Sequence, residues 1–249
     1  MLQMNSYKSN GFVLSLSLLL AFSSISSAQK AFRFGMKAAP LVSWMKPDFQ
    51  NVPANFSFEN GGLRAGFCWG PVAEIQLNET FLISTGVDIN YTSGKLRGNL
   101  LDPNSNDLVS WEQLYKNRFI EIPLMLKFRT KEIGYLRYFG LFGMGAGFRY
   151  KAETEFSEIS SGVTETTKSE DDGKYINSFR GSLQVGGGVE YSLAGNTALV
   201  GSIIFNNGLT NMLRNQFEPT VIGLNQNPFN AITEKAITNY LQLNIGILF

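Results

Sequence analysis

Along residues 118–128 (RFIEIPLMLKF), apolar and mixed positions alternate without a break. Ile120, Ile122, Leu124, Leu126 and Phe128 form one set; Phe119, Glu121, Pro123, Met125 and Lys127 form the other. Successive side chains of a strand project to opposite faces, so the segment has one continuous apolar face and one that accepts charge. A helix would scatter Glu121 and Lys127 among the apolar side chains, so the period dictates a strand. Strand-like segments of this kind recur at 31–46, 63–77, 80–93, 117–130, 135–151, 177–193, 196–211 and 236–249. Each exceeds the ~5–6 residues of an ordinary strand and the ~9–11 that cross a bilayer at a tilt.

The links between these segments alternate in length. Asn78 and Glu79, KEIG (131–134), and Ala194 with Gly195 form tight turns, whereas 47–62, 94–116, 152–176 and 212–235 are long and polar. Short links therefore share one end of the molecule, and long links share the other. The predicted fold is all-β: an eight-stranded antiparallel up-and-down transmembrane β-barrel over 29–249. Its four long loops are expected to be extracellular and both termini periplasmic.

The apolar face runs through Leu63, Phe67, Trp69 and Ile75, then Phe81, Ile83, Ile89 and Tyr91. It continues through Leu136, Phe142, Met144, Phe148 and Tyr150 to Leu241, Leu243, Ile245, Ile247 and Phe249. The opposite face carries Arg33, Lys37, Arg64, Glu74, Asp88, Glu121, Lys127, Arg129, Arg137, Arg149, Lys151, Arg180, Gln184 and Glu190. Segment 196–211 alternates poorly, and its register stays open. A soluble periplasmic lipocalin-like carrier of a small apolar ligand would turn the apolar face inward; a membrane barrel turns it to lipid. The size of the apolar side chains favours the membrane arrangement. So does the gathering of Trp44, Trp69, Tyr91, Tyr150 and Tyr191 toward strand ends, as in an interfacial girdle.

The interior of an eight-stranded barrel is just filled by side chains. A packed charge network is therefore expected rather than a selective pore, with Glu74, Asp88, Glu121 and Glu190 opposing Arg33, Arg64, Lys127, Arg137, Arg149 and Arg180. An unpaired buried charge would cost several kcal/mol, so pairing is required. The glycine runs Gly143, Gly145, Gly147 and Gly186, Gly188 are expected to lie side by side and leave room for arginines from across the barrel. Pro123 is a misfit, because a closed sheet has no free edge for its missing donor. A bulge or local break is expected there.

Residues 1–28 read as a cleaved signal peptide, with Lys8 before the apolar stretch 11–22 and small residues ahead of a cut between Ala28 and Gln29. Removing Lys8 from the 21 bases leaves them equal in number to the 20 acids. That balance argues against nucleic acid as a partner. The one cysteine, Cys68, cannot form an internal disulfide. Histidine is absent, which removes His-based catalysis and zinc chemistry. No enzyme activity, metal or cofactor is expected. Glu153 with Glu155 is the remaining conceivable carboxylate pair. The Ser/Thr-rich acidic loop 152–173 could bind a cation or a basic protein.

FRFGMKAA (32–39), IEIPLMLKF (120–128), GGGVEY (186–191) and the closing LQLNIGILF (241–249) together resemble the PorT-like outer membrane β-barrel family of Bacteroidetes-type bacteria. The resemblance spans about residues 31–249. It implies an outer-membrane location and outer-membrane lipid as surroundings. The barrel assembly machinery would recognise the terminal aromatic Phe249 as an insertion signal. A role with proteins of a type IX-like secretion system is a further implication.

Overall fold

The strand alternation closes into a ring. The computed structural model describes residues 32–48, 57–101, 108–160, 163–170, 176–214 and 235–249. The signal peptide with its Ala28/Gln29 cut lies outside the described residues, as do the Asn/Pro clusters at 103–106 and 225–230, whose composition is that of turns. The elements are β1 (Phe32–Pro47), β2 (Glu59–Asn60), β3 (Arg64–Gln76), β4 (Phe81–Gly86), β5 (Asp88–Leu101) and β6 (Leu108–Arg129). They continue with β7 (Leu136–Ser160), β8 (Val163–Glu170), β9 (Phe179–Ser192), β10 (Ala198–Gly208) and β11 (Ala236–Leu248).

Eight antiparallel staves make the barrel: β1, β3, the collinear β4 and β5, β6, β7, β9, β10 and β11. The seam closes between β1 and β11, from Gly35 opposite Leu248 to Pro47 opposite Ala236. Phe34 and Phe249 extend it by exchanging N–H···O bonds of 3.2 and 2.8 Å. Every segment expected to cross is a stave. Tight turns join them at one end. Asn78 Oδ1 accepts from the amides of Thr80 (2.9 Å) and Phe81 (2.8 Å), while Gly134 and Gly195 adopt φ of 68° and 61°, which only glycine enters cheaply.

Pro123 breaks the third stave as its missing donor requires. β4 pairs with β6 as far as Thr85 opposite Leu124, and β5 resumes at Asp88 opposite Glu121. The register is unchanged across the gap, so this is a break rather than a bulge. The carbonyl of Pro123 faces that side, where it accepts from Thr85 Oγ1 at 2.7 Å. A bulge does occur elsewhere. Phe119 faces Arg149 and Arg118 faces Lys151, which leaves Tyr150 without an opposite number. Beyond it the parity of β7 inverts: Ala152 and Thr154 turn inward, and Lys151 turns outward instead of into the lumen.

The described residues within 94–116 and 152–176 are not simple loops. β5 and β6 stay paired to Leu101 opposite Leu108, and β7 with β8 to Ser160 opposite Val163. These ribbons project beyond the barrel and enclose an apolar cap of Met45, Leu96, Trp111, Tyr115, Ala152, Ile176, Leu213 and Ala236. Polar composition hid them, because both faces of a projecting ribbon meet water except at the cap.

The faces divide as a membrane barrel demands. Ile122 is 50% exposed, Leu124 62% and Leu243 49%, while Glu121 is fully buried and Lys127 almost so. The apolar band is therefore on the outside, which is the reverse of a lipocalin-like carrier. Tyr135 and Tyr191 lie together at the short-turn end, ring centroids 6.1 Å apart, and Tyr91 and Tyr150 are exposed toward the other. Leu124→Arg on the lipid face should cost ~2–4 kcal/mol, read as a lowered urea midpoint in lipid vesicles. Thr130→Arg, beyond the band, should shift it little.

Candidate functional site

The lumen holds the chemistry that the alternation directs inward. At the short-turn side, four staves contribute one charge each: Arg33 from β1, Glu74 from β3, Lys127 from β6 and Glu190 from β9. Arg33 Nη2 bonds Glu74 Oε2 at 2.5 Å and Glu190 Oε1 at 2.9 Å, and its Nη1 reaches Glu190 Oε2 at 3.1 Å. Lys127 Nζ donates to Glu74 Oε1 at 2.5 Å and also to Glu190 Oε1. It lies 4.1 Å from the centre of the Phe139 ring. Arg129 approaches Glu190 at 3.9 Å. This cluster braces strands from opposite sides of the barrel.

Beyond it, Met125, Phe139, Leu141 and Ile204 form an apolar layer. Ile204 and Ser202 point inward while Leu199 and Ile203 are exposed, which settles the register of β10. Its apolar inward residues blurred the alternation. Lys37 then pairs with Asp88 at 2.8 Å.

Glu121 is the hub of a second network. Its Oε1 accepts from Ser182 Oγ (2.8 Å), Gln184 Nε2 (2.5 Å) and Asn206 Nδ2 (3.0 Å). Its Oε2 accepts from Arg180 Nη1 (3.0 Å) and the Tyr240 hydroxyl (3.1 Å). Arg180 also lies over the rings of Phe119 and Tyr240, at 5.3 and 5.0 Å. Five donors from three strands compensate a fully buried carboxylate.

Of the predicted network, the structure gathers Arg33, Glu74, Lys127 and Glu190 in one cluster, Glu121 with Arg180 in another, and Asp88 with Lys37. Three bases stand apart. Arg137 is at the turn end and pairs with Glu132 at 2.5 Å. Arg149 donates to the main-chain oxygens of Ile176 (3.1 Å) and Asn177 (3.4 Å) near the other rim. Arg64 is half-buried, with no carboxylate at ion-pair distance among the described residues. Arg64 and Arg137 stand at the start of their strands, and Arg149 lies beside the bulge of β7, all outside the two lumenal clusters. Ser182, Asn206 and Tyr240 were missed as partners, although their parity places them inward.

The glycine runs lie on adjacent staves but do not face each other. Gly143, Gly145 and Gly147 sit opposite Gln184, Ser182 and Arg180; Gly186 is opposite Leu141 and Gly188 opposite Phe139. Room is made for near neighbours, not for arginines from across. A Cβ on Gly145 would stand 2.0 Å from Glu121 Oε1 and 2.4 Å from Gln184 Nε2.

The middle of the lumen is packed: one cavity between the charge cluster and Asn244 has about 50 Å³ and one near Arg180 about 30 Å³, whereas an opening of about 640 Å³ lies at the short-turn mouth beside Arg33, Arg129 and Arg137. Glu153 and Glu155 are each engaged by neighbouring bases. Glu153 is held below the usual carboxylate range by a hydrogen bond from Lys151, and Glu155 by one from Lys116. A general acid needs the opposite shift.

The family model for the outer membrane protein beta-barrel domain matches residues 9–214. Among solved structures, Ail of Yersinia pestis, in complex with the heparin analogue sucrose octasulfate, is 15% identical. That match covers 88% of this chain and 99% of Ail, with a TM-score of 0.35. Neisserial surface protein A is 13% identical over 86% of this chain and 95% of its own, at 0.38. OprG of Pseudomonas aeruginosa is 11% identical over 88% and 95%, at 0.40. No curated protein matches the chain significantly.

Lys127→Met would strand Glu74 and Glu190 with fewer bases and should cost ~3–5 kcal/mol, measured by urea unfolding in vesicles. Gly145→Ala should also destabilise the barrel, through displacement of Glu121.

Proposed function

The chain belongs to the outer membrane β-barrel family that its residues 9–214 match, and on that premise we propose that it is a non-enzymatic, non-conducting barrel whose long-loop end binds a protein partner. The observation that carries this reading is the closed lumen. Buried ion pairs and an apolar layer occupy the path a solute would take, so function is transferred to the ends. The β5–β6 and β7–β8 ribbons present ordered polar surface at one of them, including the ion pair between Arg97 and Glu59 (3.3 Å) and that between Lys116 and Glu155 (2.7 Å).

In this reading the long-loop end faces the exterior and both termini face the periplasm, the usual arrangement of bacterial barrels. Phe249 closes the seam as the terminal aromatic through which assembly machinery would recognise the chain. The PorT-like resemblance of IEIPLMLKF and GGGVEY supports a place beside a type IX-like secretion system. Deletion of the gene should then diminish secreted and surface proteins in a comparative proteome, with restoration by the intact chain. An unchanged secretome removes the secretion role. Single-channel recording in planar bilayers should show no stepwise conductance; a steady ohmic pore would overturn the closed-lumen reading.

A further inference from the structure

The bulge at Tyr150 has a second effect, on the outer face. By turning Lys151 outward, it places that base directly across from Arg118, and Arg118 is itself across from Tyr91. Tyr91, Arg118 and Lys151 thus form a row over β5, β6 and β7. The next row on the short-turn side is Ile89, Ile120 and Phe148, part of the apolar band. Two bases side by side on a strand pair repel each other. Here one carboxylate, Glu153, serves both, at 3.1 Å from Arg118 and 3.0 Å from Lys151. The adjoining acid is shared in the same way: Glu155 lies 2.7 Å from Lys116 and 3.7 Å from Lys168. Among the described ion pairs, Arg118 and Lys151 have one acid between them, and both keep about 40% of their side chains exposed. Arg118 also stands 5.9 Å from the centre of the exposed Tyr91 ring.

The basic row is therefore the next outward-facing row beyond the lipid-facing band, and a band that ends in hydrocarbon would bring it to the headgroups. We propose that Arg118 and Lys151, assisted by Lys116, form a clamp for the phosphate group of a membrane lipid headgroup, with Tyr91 and Tyr150 packing against the lipid below it. The lipid's acyl chains lie along Ile89, Ile120 and Phe148, and Glu153 competes with the phosphate for the clamp. Assigning the lipid to the outer leaflet rests on the orientation proposed above; the clamp itself does not.

The test uses the detergent-solubilised full chain titrated with lipid A bearing its phosphates, and with the same lipid after their removal. Retained lipid is counted by native mass spectrometry. The phosphorylated form should bind about tenfold or more tighter, the equivalent of one charge-assisted hydrogen bond. Arg118→Gln with Lys151→Gln should abolish that preference, Glu153→Gln should strengthen it, and Lys131→Gln at the opposite end should leave it unchanged. Heat-modifiable gel mobility verifies that each variant is folded. If the double variant does not fold, Glu153→Gln and the dephosphorylated lipid decide the matter. Equal binding of the two lipids overturns the proposal, as does a folded double variant indistinguishable from Lys131→Gln. Displacement of the lipid by inorganic phosphate at similar concentration would mean a free-anion site and would also overturn it.

Discussion

Hydrocarbon offers no partner to a main-chain N–H or C=O, so a sheet that enters it must have no edge. The pairing of β1 with β11 meets that demand, and the other features follow from it. Once the ring is closed, alternate side chains are committed to lipid and to an interior of fixed, small radius. Apolar residues on the outside need no partner. Polar residues on the inside need one each, and supplying those partners occupies the space that a channel would need.

The interior is accordingly built as braces rather than as a lining. Arg33, Lys127, Glu74 and Glu190 tie four staves together across the barrel, and Glu121 ties β6 to β9, β10 and β11. Gly145 keeps the space that Glu121 fills. Breaking such a set by removing one member is costly, because the remaining charge stays buried. A lumen so arranged is a structural device, and it leaves the ribbons and the outer face as the surfaces through which the molecule meets others.

Much of this was legible in the strand alternation of the segments, because a period of two states which residues share a face. Glu121 and Lys127 share a face on that ground alone, the size of the apolar side chains and the aromatic girdle turn that face to the lumen, and the eight crossings and their tight turns follow. Which charges pair was not legible, since pairing depends on depth along the barrel. Arg137 and Arg149 have inward parity yet stand outside the two lumenal clusters. A single unpaired residue, Tyr150, reverses parity beyond it, so Lys151 could not be placed from period alone. Pro123 announced a break but not its form. The ribbons beyond Gly94 and Ala152 carry the polar composition of loops, and only the cap around Trp111 and Tyr115 distinguishes them from loops.

The central claim is that hydrocarbon wets the apolar side of the staves while the charged side is sealed within. Spin labels placed singly at residues 119–128, in a chain with Cys68→Ala reconstituted into vesicles, test it most directly through collision with oxygen. Oxygen accessibility should oscillate with a period of two, with maxima at positions 120, 122, 124, 126 and 128. Maxima at 121, 125 and 127, or no oscillation at all, would contradict the account.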